Sequence, residues 1–434
     1  VRLLRHPLTH AVSLLLGSAT QDLAFRLAQV ALPLVVLGST GSVALTGLVA
    51  GAEGVPVLLS PWWARRARQW VGSGRRLACL AVLDAAALSV VPAAALLGVV
   101  SAGVLLGAGL LLGVGETLGG PGRAALLAEV GDRLGADRAI TLLTWQDLLR
   151  RVGMLVGPGL GAAGVALGFT TALLWVQAAT VLVAGLLAWP VPGGTPAPAG
   201  PGCPPTPAIR SALVGRPEVL VGWVLRGTNS AVWFAFTLGL AVLGAQQGRP
   251  GVLYAWGMTG YGAGSVVGTL LAVPVVRRGR VLAVVSTAWT AAGAAWVLMG
   301  VWPTPFGAGL AAAAAGASVV VGITAVNAAI TRTAEGAVRR TLLSGQAVVV
   351  SASSSVGMLL GGAVLGLLGV RSTLVASGLL VSAVSLAAPR LARRSGAQGP
   401  DPRVEIAPVV AADHGLDDLD PAVGVGQGVL ELRE

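Results

Sequence analysis

The residues of this chain that could do chemistry are ionisable groups set inside long apolar runs. Asp22 and Arg26 stand four residues apart in one run, and Asp147 and Arg151 repeat that spacing in another. On a helix the spacing puts each pair on a single face. Glu53 lies near the middle of a third run and Asp84 about a third of the way into a fourth, with Arg150 and Arg226 as further buried candidates. A charge at mid-bilayer costs about 2.5 to 3.5 kcal/mol even on lenient insertion scales, so each needs a partner or a watery cavity. A carboxyl group held away from water can take up and release a proton near neutral pH. Glu53 has no local partner in the sequence and is the preferred protonatable candidate. The two acid–arginine pairs have a competing reading as self-neutralising pairs that hold a bundle together.

Every acid inside an apolar run belongs to the first half of the chain. The second half offers Arg226, Asn229, Asn327, Gln346 and the serines Ser351, Ser353, Ser354 and Ser355. The expected division of labour is ion coupling in the first half and substrate contact in the second. His6, His10 and His414 lie near the ends of the chain, and no His, Ser and Asp constellation stands at catalytic spacing. No enzyme, metal site or cofactor is expected. The glycine-rich GYGAG, Gly260 to Gly264, follows a helical span and not a strand, which makes it a poor phosphate loop.

The elements that must position these groups are membrane spans. Of 434 residues 55% are hydrophobic and only 11% charged, against roughly 25% charged in a soluble domain. A soluble enzyme, a secreted disulfide scaffold and a compact nucleic-acid binder are thereby excluded. A spanning helix needs about 20 apolar residues, and such runs occur at 11–37, 44–62, 77–97, 102–118, 139–163 and 170–189. After a proline-rich stretch from Pro190 to Pro207, which cannot continue a helix, six more follow at 219–243, 252–276, 281–301, 307–330, 342–368 and 372–388. The first run holds Asp22 and Arg26 and lacks a cleavage site, so it is read as a span and not a removed signal peptide. The expectation is an all-α membrane protein: a six-helix half over 1–189, a cytoplasmic linker over 190–216, a second six-helix half over 217–391, and an acidic, disordered cytoplasmic tail over 392–434.

All 29 basic residues are arginine. Arranged on twelve spans with the N-terminus inside, 23 of them fall in inside segments, Arg123 among them. Only Arg249 and Arg371 fall outside, and four lie within spans. Positive residues resist translocation, so both termini and the linker are expected in the cytoplasm. Trp62, Trp63 and Trp70 read as anchors at the headgroup level. The partners expected are the bilayer, a small-molecule substrate and protons, with no nucleic acid and a monomeric chain.

The halves resemble each other. TLLTWQ from Thr141 and TLLSGQ from Thr341 are each followed by a glycine-rich copy, VGMLVGPGLG from Val152 and VGMLLGGAVLG from Val356. Spans five and eleven are therefore read as one duplicated element, and duplication of this kind builds transporters with a site between the repeats.

Two sixes of spans, arginine-rich loops after spans two and eight, and a long central loop resemble the major facilitator superfamily over about residues 1 to 395. LGSTGSVALTGLVAG from Leu37, PGRAALLAEV from Pro121 with Asp137 and Arg138, and GMLVGPGLG from Gly153 look most like the drug and siderophore exporter branch that includes the enterobactin exporter. The last resembles that branch's antiporter motif. Gly153, Gly157 and Gly161 recur every four residues, a small-residue stripe that admits a close helix, and Pro158 permits a kink. Together they suit a rocking joint between halves.

The loop PWWARRARQWVGSGRR resembles the family's cytoplasmic gate signature at Gly74, Arg75 and Arg76, with Arg65 where the family has Asp and Arg66 beside it. VVRRGR keeps Arg277 and Arg278 in the second half. The family's span-four arginine is missing, and Glu116 stands in that span instead. The resemblance implies a secondary active transporter of a bacterial cytoplasmic membrane, exporting a small amphipathic molecule against protons by alternating access. An uptake permease or uniporter, and a non-transporting receptor or assembly factor, are the competing readings.

Overall fold

Apolar runs of spanning length satisfy their backbone in lipid as helices, and each of the twelve runs forms a helical rod. The computed structural model describes residues 7–135, 138–193 and 208–394. Its first half comprises α1 (Pro7–Ala28), α2 (Ala31–Thr40), α3 (Val43–Trp70), α4 (Gly74–Leu97), α5 (Ala102–Leu134), α6 (Arg138–Ala166) and α7 (Thr170–Ala188). A short α8 (Ile209–Leu213) precedes the second half: α9 (Pro217–Ala231), α10 (Trp233–Gln246), α11 (Val252–Arg278), α12 (Val281–Val301), α13 (Pro305–Thr333), α14 (Gly336–Leu368) and α15 (Val370–Arg394). The proline run of the linker and the acidic tail fall largely outside the described residues, as do Asp137 and Cys203.

The first span of each half is broken. α1 and α2 part at Gln29 and Val30, and α9 and α10 part at Val232. Pro33 explains the first break, because it has no amide to donate to the Gln29 carbonyl and its ring crowds that carbonyl. The second follows Thr228, Asn229 and Ser230, residue types whose side chains compete for backbone groups. Among the described residues, eleven rods are long and apolar enough to cross a membrane. The twelfth, α6, carries Arg138, Asp147, Arg150 and Arg151. α5 runs sixteen residues past the expected end of its span at Leu118, straight through Gly119, Gly120, Pro121 and Gly122. An intramembrane proline is tolerated where neighbouring helices support the freed carbonyl.

Two short seams join the halves. α3 packs on α14 and α6 on α11, with α2 touching α10 between them. At the first seam Gly47 and Gly362 meet backbone to backbone, Gly51 lies on the Leu359 backbone and Gly54 lies against Ser355. At the second, Gly262 lies against the Met154 and Leu155 backbone, and Gly251 against Ala162. The duplicated spans α6 and α14 thus do the same job, each crossing to the opposite half.

These contacts run from the middle of the bundle to the end remote from the linker. There one apolar cluster takes Val30 and Val165 from the first half together with Phe236, Leu240, Leu253 and Leu374 from the second. At the linker end the cores are separate. Leu14, Val71, Leu77, Leu126 and Val191 form one, all from the first half. Val219, Val276, Val285, Ile330 and Leu342 form the other, all from the second.

Candidate functional site

A cavity of about 590 Å³ lies inside the first half and is roofed by the second. Its wall is built by α1 to α7, and the second half contributes Thr237 and Leu238 from α10, Tyr254 from α11 and Met358 from α14. Four acids line it, Asp22, Glu53, Asp84 and Glu116, with three arginines, Arg26, Arg123 and Arg150, and four glutamines, Gln21, Gln29, Gln146 and Gln177. Phe25, Leu32, Leu88, Leu112, Leu143 and Leu174 supply apolar surface between them.

Glycines of α5 set the acids in place. A β-carbon at Gly113 would land on the Glu53 carbonyl, so α3 and α5 touch there backbone to backbone. A β-carbon at Gly115 would occupy the space of the Asp84 carboxylate. Glu116, the next residue, faces the cavity from the same helix. None of the four acids makes an ion pair within 4.0 Å with a described residue; the one such pair among the described residues, Arg133 with Glu129 at 3.9 Å, lies on the exposed linker-end turns of α5.

Asp22 and Arg26 share a face of α1, as their spacing predicts, yet they do not form a salt bridge. Arg26 donates from Nη1 to Gln29 Oε1 at 3.1 Å and lies over the Phe25 ring at 5.1 Å. Arg123 donates to Gln21. The expectation that Arg123 belongs to a loop and that span four lacks an arginine is corrected by the length of α5: Arg123 is on that helix and lines the cavity. Asp147 and Arg151 lie on α6, but their side chains fall outside the described set, as do those of Arg65 and Arg66 on α3.

Arg226, Asn229, Asn327 and Gln346 of the second half do not line this cavity. Asn229 is buried and accepts a hydrogen bond from Trp296 Nε1 at 3.2 Å. Gln346 donates to Asn327 Oδ1 at 2.9 Å, and Arg226 lies within electrostatic reach of Tyr261. Beside Asn229 and Arg226, the rings of Trp233, Phe236, Tyr261 and Trp296 pack with centroids 5.0 to 6.0 Å apart. Four large rings fill this part of the second half, and the open space is left in the first.

The stripe Gly153, Gly157 and Gly161 packs within its own half and not between halves. A β-carbon at Gly157 would press on Arg26 Cβ, and one at Gly161 on the Leu27 carbonyl, both on α1. The duplicate behaves alike: Gly357 lies against the Ala231 carbonyl of α9 and Gly361 against the Phe234 ring of α10. The residues of α6 that meet the second half are on its other face, and the helix continues through Pro158. Gly74 is required by packing, since a β-carbon there would strike the Ala188 carbonyl. Arg75, Arg76, Arg277 and Arg278 are exposed at the linker end.

No protein-family model and no curated protein sequence matches the chain. Solved structures do. The chain is similar to the nucleoside transporter NupG at a TM-score of 0.67 and 12% identity, covering 88% of this chain and 98% of that one. A bacterial homologue of the human lysosomal transporter Spinster, inward-facing and unoccupied, gives a TM-score of 0.66 at 13% identity over 90% and 98% of the two chains. An auto-inhibited POT family peptide transporter gives 0.67 at 12% identity over 89% and 97%. The chain shares the fold of these solved transporters, an all-α, multi-pass arrangement of apolar helices.

Proposed function

We propose that the chain is a secondary active transporter that carries a small amphipathic molecule across a bacterial cytoplasmic membrane by alternating access, coupled to protons. One observation carries this reading: a mixed charged and apolar cavity lies in the first half, roofed by residues of the second, where the two halves meet. The arginines at the linker end argue that this end faces the cytoplasm, and the separate cores there support an inward-open reading. Charges are tolerated at membrane depth where they line a water-filled path, and here four acids, three arginines and four glutamines converge on one. The direction we favour is export, on the likeness of the first-half motifs to drug and siderophore exporters.

Inverted vesicles or proteoliposomes holding the protein, under an imposed pH gradient, test this directly. Lipophilic cations, antibiotics and siderophores are added in turn. Dissipation of the gradient by a compound, absent from empty vesicles, supports proton antiport of that class. Flux of a compound with no movement of the gradient would instead support the uniporter of the same fold.

A further inference from the structure

Two hydrogen-bond donors at the roof of the cavity have no acceptor. Tyr254, from α11, is 2% exposed, lines the cavity, and its hydroxyl has no partner among the described residues. Arg26, from α1 in the other half, keeps its Nη1 on Gln29 while its buried Nε–H also goes without a partner. The two groups lie within electrostatic reach of each other. A buried donor left unpaired is unfavourable, and an acidic oxygen admitted between α1 and α11 would satisfy both. Guanidinium groups match carboxylate and phosphate oxygens best.

A solute bearing only an anionic group would meet three further acids in the same cavity. Glu53, Asp84 and Glu116 come from three successive spans of the first half; Glu116 is within electrostatic reach of both others and of Arg26, and Arg123 is within reach of Asp84. None of the three has an ion-pair partner within 4.0 Å among the described residues. Desolvated charges left unpaired favour whatever counter-ion can reach them. A cation alone would leave the Tyr254 and Arg26 donors open.

We infer that the cavity takes a zwitterionic solute, its carboxylate or other acidic oxygen held by Arg26 Nε and the Tyr254 hydroxyl and its protonated amine turned toward Asp84 and Glu116. This deepens the transport reading and rests on it for biological meaning, but binding can be tested without transport. Because one donor comes from each half, the acidic group of the solute also bridges the seam.

The test uses the full-length protein in detergent at fixed ionic strength, with thermal unfolding as the readout and four probes of one skeleton: 6-aminohexanoate, hexylamine, hexanoate and 6-aminohexanamide. The expected result is half-maximal stabilisation by 6-aminohexanoate at a concentration at least about tenfold lower than for the others. Tyr254→Phe raises that concentration about tenfold for 6-aminohexanoate and leaves hexylamine unchanged. Asp84→Asn weakens both amine-bearing acids and amines while sparing hexanoate. The inference is overturned by equal binding of hexylamine and 6-aminohexanoate, by indifference to Tyr254→Phe, or by no stabilisation from any probe. Binding without flux in vesicles would refute transport and leave this inference standing; flux of uncharged or purely cationic compounds alone would do the reverse.

Discussion

Glu53 is the acid whose placement depends least on its own side chain. Its backbone is clamped against α5 at Gly113, and its carboxyl group enters the cavity with no described counter-ion within 4.0 Å. If it carries the coupling proton, Glu53→Gln keeps the shape of the site and removes the titration. The expected outcome is a folded protein with intact probe binding and no substrate-dependent dissipation of a pH gradient; unaltered coupling would sink the assignment. Gly161 tests packing in place of chemistry. Gly161→Ala places a methyl group on the Leu27 carbonyl, and overpacking of this kind costs about 1 to 3 kcal/mol. A lowered melting temperature in detergent is expected, and an unchanged one would show that α1 and α6 can part freely. The sequence made Asp22, Arg26, Glu53 and Asp84 visible because a charge inside an apolar run stands out. It hid Tyr254, since a tyrosine in a span looks like core until the atoms around its hydroxyl are known. Asn229, Asn327 and Gln346, equally visible in the sequence, lie away from this cavity, with Trp296 bonded to Asn229 and Gln346 to Asn327.

Helices were legible from hydropathy alone to within a few residues at most ends. The failures have local causes. Gly119, Gly120, Pro121 and Gly122 carry the signals of a loop, yet helix neighbours hold them in α5, and Arg123 was thereby misplaced. The spacing of Gly153, Gly157 and Gly161 predicted a close helix correctly but could not say which one, because small residues advertise proximity without a partner's identity. The break at Pro33 is a prediction at this scale. Pro33→Ala restores a donor for the Gln29 carbonyl and favours a continuous first span, since proline disfavours a helix interior by about 3 kcal/mol relative to alanine. A higher melting temperature and slower turnover are expected if the break works as a hinge. Faster turnover would show that it does not.

At the scale of the whole molecule, the seam is made of backbone. Gly47 against Gly362 leaves no room for a side chain on either helix, so Gly47→Val wedges α3 from α14 and biases the protein toward the opposite opening. In a background with Cys79 and Cys203 replaced by serine, Ala50→Cys in the cavity wall should then react with a membrane-impermeant maleimide added from the side remote from the linker. Protection equal to that in the unwedged protein would mean that the seam is not what closes that end. The pseudo-symmetry was legible because the two glycine-rich copies are close in sequence. The asymmetry of the contents was not, since it depends on Trp233, Phe236, Tyr261 and Trp296 filling one half while glycines hollow the other.

That hollow has a consequence for water. At about 30 Å³ per molecule, a cavity of about 590 Å³ holds roughly 20 waters, and under the proposed alternating access a solute that enters must displace most of them before the far end can open. Each cycle is then also a hydration cycle, drawn almost wholly from one half of the protein. Osmolytes too large to enter the cavity favour the state that holds less water, so the resting balance between its two openings is set in part by the osmotic pressure of the compartment the cavity faces.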